Sequence, residues 1–215
     1  STLHHQAVQA MLAKDREQDA FELARRLAVV SANPRWRVLA AVLGGRVDVR
    51  AGRDLLPDLP QCTLRDALAG VALAVLDGNQ AVASEWARRI RRLGTSRAAA
   101  RGLAPPTEQA LLTALAVGKL EWARSERKAM ARANGLSRLV ADELLAASAG
   151  GAASRSEAAR LLLASLAIEL QLPRLAGRMA SDLLEKRPRC TWAAALAYAA
   201  GTEGDRLAAV LDRVQ

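Results

Sequence analysis

No stretch of this chain alternates apolar and polar residues for long enough to make a strand, whereas segment after segment repeats alanine and leucine at helical spacing. That single feature excludes most fold classes. Runs of valine, isoleucine, threonine and tyrosine, from which strands are built, are nearly absent. Aromatic residues make up 3% of the 215 positions, so a core has to be assembled from small and aliphatic side chains. Alanine and leucine are strong helix formers, and abundant alanine lets helix axes approach closely. The chain reads as all-α, and its length suits a single domain over residues 1–215 with a sizeable core.

Punctuation divides the pattern into helices. "HHQAVQAMLAK" is followed by "EQDAFELARRLAVVSA", which stops at Asn33-Pro34. "RWRVLAAVLGG" comes next, with Gly44-Gly45 read as a turn, then a short "VDVRAGRDLL" ending at Pro57. Thr63 to Asp66 forms a capping-box pattern that opens "LRDALAGVALAVLDG", and Asn79 can cap "QAVASEWARRIRRL". A longer connection runs from Gly94 to Pro106, after which Thr107 caps "EQALLTALAVG", leading into "KLEWARSERKAMARA". "SRLVADELLAAS" ends in Gly150-Gly151, and Ser154 to Glu157 reads as a capping box for "EAARLLLASLAIELQ". Pro173 suits the first turn of "PRLAGRMASDLLEKR", which Pro188 closes. "TWAAALAYAAG" and "DRLAAVLDRV" finish the chain. The segment from Glu157 to Gln171 is apolar nearly all round and is expected to be the most buried helix. Short connections make consecutive helices antiparallel neighbours, an array of α-hairpins.

The hairpins share a spacing. Ala83, Ala123 and Ala176 fall at equivalent places in three second helices, with Gly78, Gly118 and Gln171 five residues earlier. Four residues after each alanine come Ala87, Arg127 and Ala180, and seven after come Ile90, Met130 and Leu183. Elsewhere Asn33-Pro34 precedes Trp36, Leu39, Ala40 and Leu43, and Ala176 and Ala180 precede Pro188. Together these positions resemble the tetratricopeptide family, whose helix–turn–helix unit carries W-x2-L-G-x2-Y, then A-x3-F, then P. Alanine replaces the glycine and leucine the tyrosine in the first part, alanine replaces the aromatic in the second, and the spacing between units is irregular. The resemblance implies a right-handed, tetratricopeptide-like solenoid with a concave binding face. It also implies adaptor, scaffold or chaperone work in the assembly or secretion of a bacterial complex.

The tetrapeptide "EWAR" occurs at Glu85–Arg88 and Glu121–Arg124, but Trp86 lies eight residues after its turn glycine and Trp122 four. The copies are out of register, so the hairpin repeats rather than the tetrapeptide. Trp86 shares a stripe with Ala83, Ile90 and Leu93 and reads as core. Trp122 has Ser125 and Glu126 around it, which leaves open a packing role or a partly exposed, partner-contacting one.

Catalytic patterns are lacking. His4 and His5 are adjacent, so they point to different helix faces and make a poor metal pair. Cys62 and Cys190 have no zinc spacing and suggest a reducing compartment. The acidic pairs Asp15/Glu17 and Asp142/Glu143 carry no sign of acid–base work, and no phosphate loop, dinucleotide fingerprint or nucleophile motif is present. No catalytic residue, metal ligand or cofactor is assigned, and a non-enzyme is expected. The opening "STLHHQAVQA" is not a basic-then-apolar leader, and no apolar segment is long enough to span a bilayer, so a cytoplasmic protein is expected.

What stands out is charge. The net charge is +9, and residues 84–132 hold 11 basic and 4 acidic side chains. One group is Arg88, Arg89, Arg91, Arg92, Arg97 and Arg101; the other is Arg124, Arg127, Lys128 and Arg132. Two readings stand: a solvated surface, or, together with Trp122, a docking site for a protein partner rich in acidic residues. Nucleic acid is the alternative partner, with no helix-turn-helix, stacking platform or RNA-binding motif in its favour.

Overall fold

The computed structural model describes residues 2–58, 61–95, 107–130, 152–187 and 190–201. Among these lie eleven α-helices and no strand. They are α1 (Thr2–Ala13), α2 (Glu17–Val30), α3 (Pro34–Val47), α4 (Val49–Asp54), α5 (Leu64–Leu76), α6 (Gln80–Thr95), α7 (Thr107–Ala116), α8 (Leu120–Met130), α9 (Ala152–Glu169), α10 (Pro173–Lys186) and α11 (Thr191–Ala199). No helix of the described residues is long and apolar enough to cross a membrane. The expected helices "SRLVADELLAAS" and "DRLAAVLDRV" fall outside the described residues.

Several helices begin at the expected caps. Thr63 accepts the Asp66 N–H at its hydroxyl while the Asp66 carboxylate accepts the Thr63 N–H at 2.7 Å, a complete capping box. Asn33 accepts the Arg35 N–H at 2.9 Å, with Pro34 in the first turn. Ser154 to Glu157 does not open the helix. Ala152 and Ala153 carry α9 upstream, so those four residues lie inside the helix.

The turns repeat bond by bond. Gly78, Gly118 and Gln171 all have positive φ, of 76°, 70° and 63°. In each, the turn residue's N–H donates to the carbonyl three residues back (Val75, Leu115, Ile168). The next N–H donates to the carbonyl five residues back (Ala74, Ala114, Ala167) at 2.8 Å in all three. This is a helix C-terminal motif that closes on a left-handed residue. A fourth copy, unseen in the sequence, turns on Asp15 (φ 58°), where Asp15 N–H donates to Leu12 and Arg16 N–H to Met11. Gly201 (φ 71°) donates to Tyr198 in the same way. Five residues after the first four turns stand Ala20, Ala83, Ala123 and Ala176, all fully buried.

Small residues set the packing. Gly44 and Gly45 are not a turn: they lie inside α3. A methyl group on Gly44 would stand 2.6 Å from the Gly52 Cα of α4, and one on Gly45 would overlap the end of the Leu163 side chain of α9. A methyl group on Gly70 of α5 would meet three atoms of the Trp86 indole at 2.6–2.9 Å. The expectation that residues 157–171 form the most buried helix is corrected by α5, which is buried without a break from Asp66 to Val75, whereas Arg160 and Glu169 of α9 are exposed. Alanine and glycine at five positions of α5 let neighbours close around it. α9 still packs against α3, α5, α7, α10 and α11, and α1 meets α10.

Candidate functional site

Most arginines outside the middle of the chain hold the fold together. Arg37 reaches Asp66 through two hydrogen bonds, at 2.9 and 2.8 Å, and Asp66 is fully buried. The Arg37 pKa is raised, first by that hydrogen bond. Arg46 joins Glu17 of α2 (2.8 Å) to Asp182 of α10. Arg178 of α10 contacts Glu17 (2.8 Å), Asp15 and the Leu12 carbonyl. Burial alone would push the Glu17 carboxyl up, but the hydrogen bonds and charges of Arg46 and Arg178 outweigh it and hold its pKa below the ordinary value. Arg50 and Arg53 pair with Asp77, Arg65 with Glu169, and Arg187 with Glu157.

The sequence-predicted site residues divide into three groups. Arg97, Arg101 and Arg132 lie outside the described residues. Arg89 turns inward: it is half-buried and reaches the buried Cys62 thiol, whose pKa burial nonetheless raises. Trp122 is buried at 8% exposure, which favours the packing role of the two left open by the sequence over a partly exposed one. Its indole N–H donates to Glu126 at 2.8 Å and its ring is 6.0 Å from the Arg91 guanidinium. The sequence hid this burial because the covering groups, Glu126 and Arg91, are themselves charged.

The remaining residues lie on two helices. On α6, Arg88, Arg91 and Arg92 are exposed; on α8, Arg124 and Lys128 are exposed and Arg127 is half-buried. Helical spacing puts Arg88 with Arg91 and Arg92, and Arg124 with Lys128, on single faces. Arg91 of α6 lies over the Trp122 ring of α8 at a distance suited to cation–π attraction. Arg124 pairs with Glu121, and Arg88 Nε approaches the Ser84 carbonyl at 3.4 Å. α6 and α8 each carry exposed cations, and guanidinium groups suit carboxylates.

A concavity lies between α1 and the start of α10. It is a groove of about 320 Å³ lined by Gln9, Ala10, Leu12, Ala13, Leu172, Pro173 and Arg174. Compared with protein-family models, curated proteins and solved structures, the chain matches none.

Proposed function

We propose that this chain is a non-catalytic protein-binding adaptor, scaffold or chaperone that docks an acidic segment of its partner on the cationic face of α6 and α8. The observation supporting this reading is that Arg88, Arg91 and Arg92 of α6 and Arg124 and Lys128 of α8 are all exposed, with Arg91 of α6 against Trp122 of α8. Elsewhere in the fold Arg37, Arg46, Arg65 and Arg187 pair with carboxylates from other helices. Arginine in this setting suits carboxylate recognition and electrostatic steering. Trp86 and Trp122 are buried, so among the described residues neither offers α6 or α8 a stacking platform for nucleic-acid bases, which favours protein over nucleic acid.

Within this proposal the fold is a tetratricopeptide-like array of hairpins. The hydrogen-bond pattern shared by the turns at Asp15, Gly78, Gly118 and Gln171, each followed by a buried alanine, supports that reading. α9 departs from simple stacking, in which each unit touches its neighbours alone, because it also packs on α3 and α5. Binding is therefore assigned to an outer face rather than to a groove along the α3, α5 and α7 row.

A photoreactive amino acid at position 88 or 128 tests the site in the source cell, with positions 26 and 186 as exposed controls. The proposal expects one cross-linked protein from 88 and 128, joined through an acidic segment, and little from the controls. Equal cross-linking from all four positions, or linkage to nucleic acid, overturns it.

A further inference from the structure

The seat of α1 differs from the other helix contacts. His5 of α1 has both ring nitrogens shielded from water and without a hydrogen-bond partner of good geometry. Such buried polar atoms are rare and call for a reason. The carbonyl beside it, that of Gln171 in the α9–α10 turn, already accepts from Gln9 Nε2 at 2.8 Å. From α3 the charged group facing His5 is Arg35, which donates to the Leu170 carbonyl at 3.0 Å and to Gln171 Oε1 at 3.1 Å. The ionised groups on the last turns of α2, Arg25 and Arg26, are exposed, and Arg25 pairs with Glu22. α10 contributes Arg174 and Arg178, which bond the opposite end of α1 at Ala13 and Leu12. His4, next in the chain, stands edge-on to Trp36 at 6.3 Å.

A proton on His5 would therefore add a second cation beside Arg35, in a place without a carboxylate among these neighbours. Burial and Arg35 both favour the neutral ring, and the Gln171 carbonyl opposes them less strongly. We infer that α1 is an acid-released latch: protonation of His5 loosens α1 from the α9–α10 turn and uncovers the apolar wall of the groove at the buried Leu172. The sign follows from linkage. A histidine with its pKa lowered in the closed form binds more protons in the open form, so closure weakens as pH falls through the ordinary histidine value. Val8 and Leu12, both buried, become accessible on release.

Hydrogen exchange of the α1 backbone amides tests this, comparing pH 7.5 with 5.5 after correction for intrinsic exchange. With an open-form pKa of about 6.5, opening of α1 can rise by at most about tenfold over that interval. The expected result is a rise of several-fold confined to α1, with α5 unchanged. His5→Gln removes the rise, and His5→Leu does the same should the glutamine fit poorly. His4→Gln retains it. An equal rise in wild type and the His5 variants overturns the latch, as does a wild type with no rise.

Discussion

Gly44 and Gly45 are neighbours in sequence but differ in what a methyl group would strike. At Gly44 it meets the backbone of Gly52, which cannot move alone; at Gly45 it meets the flexible end of Leu163. Alanine also gains about 1 kcal/mol of helix propensity over glycine. Gly45→Ala is thus expected to be near neutral, and Gly44→Ala to destabilise by about 1–3 kcal/mol. Urea unfolding of both variants checks the order, and equal stabilities would contradict the close α3–α4 approach. Gly70→Ala belongs with Gly44→Ala, because the rigid Trp86 ring is what must give way. Glu17 sets a pH dependence of its own. Its pKa is depressed in the folded state, so its pairing with Arg46 and Arg178 stabilises the protein above the ordinary value of 4.5 and is lost as pH falls below it. Glu17→Gln should cost about 1–2 kcal/mol at pH 7, and that deficit should vanish in acid. A deficit independent of pH would contradict the assignment.

Elements were legible where punctuation and period agreed, as at Thr63, Asn33 and Pro173. The double glycine at 44–45 misled, since glycine signals a turn in sequence while a close helix crossing needs the same residue. The Asp15 turn was hidden because aspartate enters left-handed conformation less readily than glycine, although Ala20, Ala24 and Leu27 follow it at the spacing of the other hairpins. α5 was undervalued because its burial rests on alanine and glycine, which weigh little in a count of large apolar residues. Which arginines face outward could not be read either: Arg88 and Arg89 are adjacent, yet one is exposed and the other turns to Cys62. For α9, the apolar pattern and the packing agree. Leu163 is 1% exposed beside Gly45, so Leu163→Ala should cost about 2–5 kcal/mol. Thermal unfolding at the wild-type temperature would place α9 at the periphery instead.

Across the whole molecule, two uses of arginine separate in space. Around α2, α3 and α10, guanidinium groups bind carboxylates that sit far away in sequence, such as Asp182 and Glu17 with Arg46. On α6 and α8, cations occupy exposed positions, with Arg91 over the buried Trp122. The first set holds the fold and the second is proposed to recognise a partner, so their variants should fail differently. Arg46→Ala should lower the unfolding temperature, with partner recovery falling along with the folded population. The most direct measurement is recovery of the partner from source cells by a triple charge reversal, Arg88→Glu, Arg92→Glu and Lys128→Glu, against a control reversal of Arg26 and Lys186, with circular dichroism confirming the fold of each. The account predicts that the triple variant melts like wild type and loses the partner at least tenfold, while the control keeps it. A folded triple variant that recovers as much partner as the control would contradict the claim that this face is the docking site.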